Sequence, residues 1–212
     1  MFAALVVAFR MLRRALAATV LDPACGSGNF LYVALEKLVA LEHEVVKLGL
    51  AWELPKLERR VHPRQLFGIE KNEYAHQLAS TVVWIGYLQS KRKRGDYEVD
   101  DPVLEPLDNI ENKDAILDLS DPANPKEPEW PAAEFIVGNP PFLGNRDQRR
   151  ELGSDYVDGL RALFEGSLTH GVNLCAYFLE KARSALEDGR VTRVGMLATN
   201  SIADSSNRHV LE

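Results

Sequence analysis

Residues 18–48 contain the pattern that most constrains the fold, a short apolar segment that leads through a small turn into a long helix. The segment ATVLD at residues 18–22 has the length and the apolar character of a buried strand. The turn PACGSG at residues 23–28 follows, and apolar residues at helical spacing begin near Asn29. A strand that continues through a tight turn into a helix is half of a β-α-β unit, which predicts an α/β fold.

The same alternation continues along the chain and indicates a doubly wound, mostly parallel sheet. In such sheets, ligands bind at the carboxyl ends of the strands, near the point where the strand order reverses. The residues directly after each strand are therefore the candidates for a functional site. Further strands are predicted at 65–70, within 107–117, at 134–138 and at 190–199, and further helices at 72–90, 146–165, 173–187 and after Ser206.

Both long helices have apolar residues at helical spacing, and we expect these residues to face the sheet. The charged residues of the first helix, among them Glu42, are expected on the opposite side. The predicted inward residues are Leu31, Leu35, Leu38, Leu41, Val45 and Leu48 in the first helix and Ala75, Leu78, Val82, Ile85 and Leu88 in the second.

Composition excludes several classes of protein. The chain has 212 residues, of which 46% are hydrophobic, so a disordered chain is excluded. The net charge of −6 argues against a strongly basic nucleic-acid-binding domain. The two cysteines, Cys25 and Cys175, lie far apart and outside any CxxC motif, which predicts reduced, buried thiols. The histidines lack HxxxH spacing, and we expect no metal.

The N-terminal segment is apolar first and basic afterwards, which is the reverse of a secretory signal. Arg10, Arg13 and Arg14 fall on one face of a helix, and Leu5 and Phe9 mark an apolar face. We predict an amphipathic helix over residues 3–17 that packs on the domain. The apolar run is far too short to span a membrane, and we expect a cytoplasmic protein without membrane association.

The segment DPACGSGNF at residues 22–30 is the first motif with chemical content. Its small residues let the backbone approach a ligand closely, and the following helix directs its positive end to the same place. It lacks the GK[ST] of a phosphate-binding loop and the last glycine of the GxGxxG dinucleotide motif. By itself the segment is also compatible with a simple strand-to-helix turn.

Polar residues also follow the second and the fourth predicted strand. Glu70 ends the second strand, where an acidic residue commonly binds two ribose hydroxyls. Asn139, Pro140, Pro141 and Phe142 follow the fourth strand. An amide oxygen and a proline carbonyl held rigidly can accept both hydrogens of an exocyclic amino group, and Phe142 offers a face to a base. A solvated acid and a rigid turn are the structural alternatives.

Taken together and in this order, the motifs resemble those of class I S-adenosylmethionine-dependent methyltransferases, and more narrowly the N6-adenine DNA methyltransferases. DPACGSGNFLYVALEKL, FGIEKNEYAHQLASTVVWIGYLQ, IVGNPPFLGN and VGMLATNSI are similar to the methyltransferase portion of type IIG restriction–modification enzymes, from about residue 19 to the end. The resemblance implies a Rossmann-like sheet, S-adenosylmethionine as cofactor and DNA as partner, with the target adenine flipped out.

The resemblance also implies a role for each matching residue. Asp22 and the following turn hold the methionine part of the cofactor, Glu70 binds its ribose, and Asp114 accepts from its adenine amino group. Asn139 and Pro140 hold N6 of the target adenine, and Phe142 stacks on the flipped base. The implied cofactor-binding residues are Asp22, Ala24, Cys25, Gly26, Gly28, Phe30, Glu70 and Asp114, and the implied catalytic residues are Asn139, Pro140, Pro141 and Phe142.

Two departures from the family pattern lead to further expectations. Lys71 stands where the family has an apolar residue against the cofactor adenine. The chain also stops after the fifth strand, so the sixth and seventh strands and a target-recognition domain are absent from it. We expect an N-terminal helix at 1–18, a partial catalytic core at 19–212, and an exposed fifth strand that a homodimer or a partner chain covers.

Two other functions remain open from the sequence. The chain could be an inactive fragment or a cofactor-binding subunit that needs a partner. It could also be an NPP-type methyltransferase of RNA or of a protein glutamine, because those substrates present an amino group to the same kind of pocket. Arg146, Arg149 and Arg150 are equally compatible with contacts to DNA phosphates and with a plain surface helix.

Overall fold

A computed structural model describes residues 6, 7, 10, 14, 17–52, 60–93, 107–169 and 171–200. The described residues of the segment 3–17 are helical, in agreement with the predicted N-terminal helix. The remainder of that helix and the helix predicted after Ser206 lie outside the described residues.

Strands and helices alternate along the described chain. The strands are β1 (Val20–Asp22), β2 (Leu66–Ile69), β3 (Ile110–Glu111), β4 (Phe135–Gly138) and β5 (Arg193–Met196). The helices are α1 (Asn29–Ala51), α2 (Glu73–Lys93), α3 (Asn145–Leu152), α4 (Ser154–Leu163) and α5 (Leu174–Glu187).

The strands form one sheet in the order β3-β2-β1-β4-β5, and every named pair is parallel. Leu21 at the centre pairs with Phe67 of β2 and with Ile136 of β4. The chain proceeds from β1 to β2 on one side and later to β4 on the other side. The predicted doubly wound parallel sheet is therefore confirmed, and the order reverses between β1 and β4.

The sheet is covered on both faces, which explains why its inner strands are apolar without polar alternation. On one face, Leu21 and Ile136 pack into a cluster with α5 that includes Tyr177. On the other face, Val20 and Leu66 pack into a cluster with α1 and α2. Among the described residues, β5 is the last strand on its side of the sheet, and its pairing with a partner strand stays a prediction.

The inward faces of the two long helices differ from the predicted ones. In α1, Leu41 and Leu48 are exposed, whereas Val39 and Glu42 are buried. In α2, the predicted residues Leu78, Ile85 and Leu88 are exposed, and small residues face inward instead. Small residues allow α2 to lie close to α1, so packing distance rather than apolar spacing determined which side was buried. The buried residues of α2 are Ala79, Val83, Gly86 and Ser90.

Glu42 was predicted on the solvent side of α1, but its side chain has a relative exposure of 0%. Its Oε1 accepts hydrogen bonds from the backbone N–H groups of Arg60 (2.5 Å) and Val61 (2.9 Å). Glu42 therefore binds the segment that leads into β2. This explains why a charged residue occupies the core, because buried polar groups are retained where they satisfy other buried polar groups.

We expect Glu42→Ala to lower the free energy of unfolding by about 2–4 kcal/mol, because two backbone N–H groups lose their acceptor. Chemical denaturation measures this change. The exposed neighbour Glu44, which pairs with Lys47 at 3.2 Å, is the matched control. Glu44→Ala should change the stability by less than about 0.5 kcal/mol. Equal effects of the two substitutions would contradict a structural role for Glu42.

Candidate functional site

The turn after β1 brings backbone N–H groups to the carboxyl end of the sheet. Gly28, the residue before α1, has a φ of 85°, and a Cβ on it would lie 3.1 Å from the Ala79 backbone. Only glycine suits both the left-handed backbone and this close approach. Among the described residues, no side chain caps the start of α1, and its first turn contains no acidic residue. The positive end of the helix therefore faces the strand ends without a neutralising group from α1.

Asp22, the last residue of β1, has a buried carboxyl group that is only half satisfied. The side chain has a relative exposure of 1%. Its Oδ1 accepts from the Ala24 N–H at 3.0 Å, whereas its Oδ2 is buried without a hydrogen-bond partner among the described residues. Burial raises the pKa of Asp22 to about 7, and the nearby Glu70 carboxylate adds to this rise, while the Ala24 hydrogen bond opposes it. An orphaned buried oxygen indicates a missing donor.

Gly138 leaves the space that the Asp22 carboxyl occupies. A Cβ at Gly138 would lie 2.6 Å from Asp22 Oδ1, well inside van der Waals contact. We expect Gly138→Ala to displace Asp22 and to destabilise the protein by about 1–3 kcal/mol. Gly195 of β5 is the control for an added methyl group, since a Cβ there would meet no described atom within 4 Å. If Gly195→Ala lowers the midpoint temperature of thermal unfolding as much as Gly138→Ala does, crowding of Asp22 is not the cause of the destabilisation.

Glu70, directly after β2, is held by two backbone hydrogen bonds. Its Oε2 accepts from the Gly26 N–H at 2.9 Å, and its Oε1 accepts from the Asn72 N–H at 2.7 Å. The Cys25 N–H also donates to the Ile69 carbonyl at 3.0 Å, so the turn after β1 is tied to the end of β2. Each carboxylate oxygen has two lone pairs, so both oxygens of Glu70 retain acceptor capacity in a fixed orientation.

Asp114, in the loop after β3, lies at the centre of a small polar network. Its Oδ1 accepts from the N–H groups of Ile116 (2.9 Å) and Leu117 (3.1 Å). Its Oδ2 accepts from the Tyr156 hydroxyl at 2.7 Å and from Lys71 Nζ at 2.9 Å. Lys71 Nζ also lies 4.5 Å from the centre of the Tyr156 ring. Burial and the neighbouring Asp114 raise the pKa of Tyr156, which keeps its hydroxyl proton.

The segment after β4 is exposed at its tip and anchored behind it. Asn139 is exposed, and the Phe142 ring has a relative exposure of 43%, which leaves room for a stacking partner. The next residue, Leu143, donates its N–H to Asn173 Oδ1 at 3.2 Å and accepts from the Leu174 N–H at 2.9 Å. The buried Gln148 donates to the Leu143 carbonyl at 3.1 Å. The loop is thus fixed to the start of α5.

These strand ends surround one cavity of about 380 Å³, which is in the range of small-molecule sites. The cavity lies at the carboxyl ends of β1, β2 and β4, next to the loop after β3. This is the place where ligands bind in doubly wound sheets. Of the predicted site residues, Ala24, Glu70, Asp114, Asn139 and Pro141 line the cavity.

The other predicted residues lie outside this lining. Asp22 directly precedes the lining residues Pro23 and Ala24. A Cβ on Gly68 would lie 2.9 Å from the sulfur of Cys25, so that thiol is directed to the sheet. Both cysteines are buried and free, as predicted. The predicted residues outside the lining are Asp22, Cys25, Gly26, Gly28, Phe30, Pro140 and Phe142.

Several residues of the cavity were not predicted from the sequence. Leu152 and Tyr156 come from α3 and α4, and Leu174 and Phe178 come from α5. Phe178 lies one helical turn after Leu174, so both face the cavity side of α5. A capping asparagine at the start of α5, Asn173, is the signal that would have indicated this end of the helix. Tyr156 carries no comparable signal in the sequence.

The three arginines after the NPPF segment are not equivalent. Arg149 pairs with Asp158 at 2.5 Å, and Arg150 pairs with Asp147 at 2.8 Å. Arg146 is exposed and has no ion pair with any residue that the structure describes. Of the three, Arg146 is therefore the one whose charge is available to an anionic partner. None of the helices in the described ranges is both long enough and apolar enough to cross a membrane.

An open parallel sheet with helices on both faces, and with a cavity at its switch point, defines a Rossmann-like fold of the class I type. Residues 6–211 match the family described as "MmeI, DNA-methyltransferase domain". The chain belongs to this family, and the resemblance noted from the sequence motifs is confirmed.

A curated relative supports this assignment. The chain is 29% identical over 203 residues to "DNA methyltransferase A" of Bacillus subtilis (strain 168). The match covers 90% of this chain and 22% of the relative. The chain thus spans less than a quarter of the length of that protein.

Solved structures share the fold. The type IIL restriction–modification enzyme MmeI in complex with DNA matches 95% of this chain and 27% of its own chain, with a TM-score of 0.72 and 24% identity. The ATP-dependent type ISP restriction–modification enzyme LlaBIII bound to DNA matches 90% of this chain and 13% of its own, with a TM-score of 0.54 and 16% identity. The DrdV–DNA complex matches 90% of this chain and 18% of its own chain, with a TM-score of 0.51 and 18% identity.

Proposed function

We propose that this chain transfers a methyl group from S-adenosylmethionine to the N6 amino group of adenine in DNA, as part of a restriction–modification methyltransferase. The observation that carries the proposal is the cavity that Glu70, Asp114 and Asn139 line from the ends of three strands. Residues 19–212 are the catalytic core in this proposal, and residues 1–18 are an N-terminal helix.

The residues around the cavity fit the cofactor in charge and in hydrogen-bonding capacity. The orphaned Oδ2 of Asp22 suits the ammonium group of the methionine part, and the uncapped start of α1 suits its carboxylate. Glu70, with one free lone pair on each oxygen, suits the two ribose hydroxyls. Asp114 also lines the cavity and is the acceptor for the adenine amino group.

The target amine is held by the segment after β4. The amide oxygen of Asn139 and the carbonyl of Pro140 accept the two hydrogens of the N6 amino group, and Phe142 stacks on the flipped base. Accepting both hydrogens draws the nitrogen lone pair out of the aromatic ring and directs it to the cofactor. S-adenosylmethionine, when bound, supplies the methyl group on a positively charged sulfur. The contribution of the protein is orientation and electrostatic stabilisation.

Two observations support DNA as the partner. The solved structures with the same fold contain restriction–modification enzymes bound to DNA. In this chain the exposed Phe142 ring and the exposed Arg146 lie on the same stretch of residues after β4. The aromatic face suits an unstacked base, and the guanidinium group suits a phosphate near it.

The test is methyl transfer from radiolabelled S-adenosylmethionine to unmethylated duplex DNA, to RNA and to a glutamine-containing protein. We expect label in DNA alone, and N6-methyladenine after digestion of the DNA to nucleosides. Label in RNA or in protein would replace the proposed substrate. Cofactor binding without any transfer would identify a cofactor-binding fragment or subunit, and a folded chain that binds no cofactor would refute the proposal as a whole.

A further inference from the structure

The acceptor positions of Asp114 are all occupied within the protein. A carboxylate offers about four lone-pair positions, two on each oxygen. The N–H groups of Ile116 and Leu117 occupy Oδ1, and the Tyr156 hydroxyl and Lys71 Nζ occupy Oδ2. A ligand amino group can therefore bind Asp114 only if one of these four donors leaves.

Lys71 is the donor that can leave at the lowest cost. The backbone donors belong to the loop that carries Asp114 itself, and the Tyr156 hydroxyl lies on the half-buried face of α4. Lys71 is different, because its side chain has a relative exposure of 63% against 16% for Asp114. An ammonium group at such an exposed position regains water when it moves away, so its ion pair is weak.

We infer that Lys71 competes with the purine amino group of the ligand for Asp114 Oδ2. Tyr156 is the positioning residue, because its hydroxyl occupies one acceptor position of this oxygen and leaves only the position that Lys71 holds. This inference rests on the proposed function, because it assumes that an adenine-containing cofactor enters the cavity. When the ligand binds, its amino group takes the position of Lys71 Nζ on Asp114 Oδ2. Lys71 thereby lowers the affinity for the cofactor and reduces the preference of the protein for purines with an amino group over purines without one.

The displaced side chain has a place to go. A second cavity of about 390 Å³ adjoins the first and is lined in part by Lys71, Tyr156 and Asp118. Lys71, Asp114 and Tyr156 line both cavities, and Lys71 Nζ lies 4.5 Å from the centre of the Tyr156 ring. Movement across the ring keeps the favourable contact between the ammonium group and the aromatic face. The second cavity contains the carboxylate of Asp118 as well as Lys113, whose ammonium group is paired with Glu111 at 2.6 Å.

The test measures binding of S-adenosylhomocysteine, and of its counterpart with hydrogen in place of the purine amino group, by titration calorimetry. We expect Lys71→Met to bind S-adenosylhomocysteine about two- to fivefold more tightly than the wild type, the range an exposed ion pair contributes. The counterpart without the amino group should show no such gain. This comparison separates competition from better packing, because a methionine side chain would pack equally well on both purines.

A double substitution tests the role of Tyr156. In Tyr156→Phe, Asp114 Oδ2 has one free acceptor position while Lys71 remains bound, so the added effect of Lys71→Met should disappear. Lys47→Met, which breaks an exposed ion pair with Glu44 at 3.2 Å, is the control for removal of a surface charge and should leave the affinity unchanged. High salt should raise the affinity of the wild type towards that of Lys71→Met.

The outcomes separate this inference from the proposed function. If the wild type binds S-adenosylhomocysteine and Lys71→Met binds it equally or less tightly, Lys71 is not a competitor. An equal gain for both purines would also overturn the inference, since it would reflect packing alone. A wild-type protein that is folded and binds neither ligand would refute the proposed function, and the inference with it.

Discussion

Asn139→Ala should lower the rate of methyl transfer by about 100- to 1000-fold while the affinity for S-adenosylhomocysteine stays within about twofold of the wild type. The amide oxygen of Asn139 accepts a hydrogen of the target amine in our proposal. That hydrogen bond strengthens as positive charge develops on the nitrogen, so its loss falls on the transition state rather than on cofactor binding. Single-turnover transfer to DNA and titration calorimetry measure the two quantities separately.

The control for Asn139 is an asparagine with no part in the site. Asn124 is an exposed residue in the acidic loop between β3 and β4. Asn124→Ala should leave both the rate and the affinity unchanged. A fall in transfer of less than about threefold in Asn139→Ala would remove Asn139 from the chemical step. A parallel loss of cofactor binding would instead assign it to the cofactor.

Asp22→Asn should weaken binding of S-adenosylhomocysteine by about 10- to 100-fold, the range of a hydrogen bond to a charged group. Asparagine keeps the Oδ1 that accepts from the Ala24 N–H at 3.0 Å. It loses the negative charge and replaces the orphaned Oδ2, which the ammonium group of the ligand would satisfy. The wild-type affinity should also rise with pH up to about pH 7, because burial raises the pKa of Asp22 to about 7.

The same substitution should stabilise the protein without ligand. The pKa of Asp22 is about 7 in the folded protein and 3.8 in the reference state, so the unfolded chain loses this proton at lower pH. The stability of the wild type should therefore fall as the pH rises from about 4 to about 7. Because one pKa unit corresponds to about 1.4 kcal/mol, the loss has an upper bound of roughly 4 kcal/mol. Asp22→Asn should not show this loss.

Denaturation at pH 5 and at pH 8, without ligand, tests the prediction. The stability difference between Asp22→Asn and the wild type should be larger at pH 8. Asp121 is the matched control, since its exposed Oδ1 accepts from the Ala123 N–H at 3.1 Å in the same kind of turn. The stability difference between Asp121→Asn and the wild type should be the same at both pH values. If the stability difference between Asp22→Asn and the wild type is the same at both pH values, then the Asp22 carboxyl does not titrate in a buried position.

The prediction of the fold succeeded because local signals agreed with one another. Apolar segments of strand length, small residues after them and helical spacing between them each indicated the same β-α units. The carboxyl ends of parallel strands must meet at one edge, so Glu70, Asp114 and Asn139 were expected to be close to one another. The structure brings these three residues to one cavity.

The prediction of the inward helix faces failed in part, and the reason is packing. Apolar spacing favoured Leu78, Ile85 and Leu88 of α2, but the structure buries Ala79 and Gly86. A Cβ at Gly86 would lie 2.5 Å from the Tyr32 ring, so α2 approaches α1 more closely than a larger residue permits. The spacing of apolar residues within one helix does not show which helix packs against it or how closely the two approach.

The sequence by itself determined the order and type of the elements, the parallel sheet and the residues at the strand ends, because these depend on local spacing and on one rule of sheet geometry. Only the tertiary structure decided that Glu42 is buried on the backbone before β2, and that Lys71 and Tyr156 converge on Asp114. These contacts join residues 19, 43 and 42 positions apart, respectively. No local pattern specifies such pairs, since they follow from how the loops and helices pack at the end of the sheet.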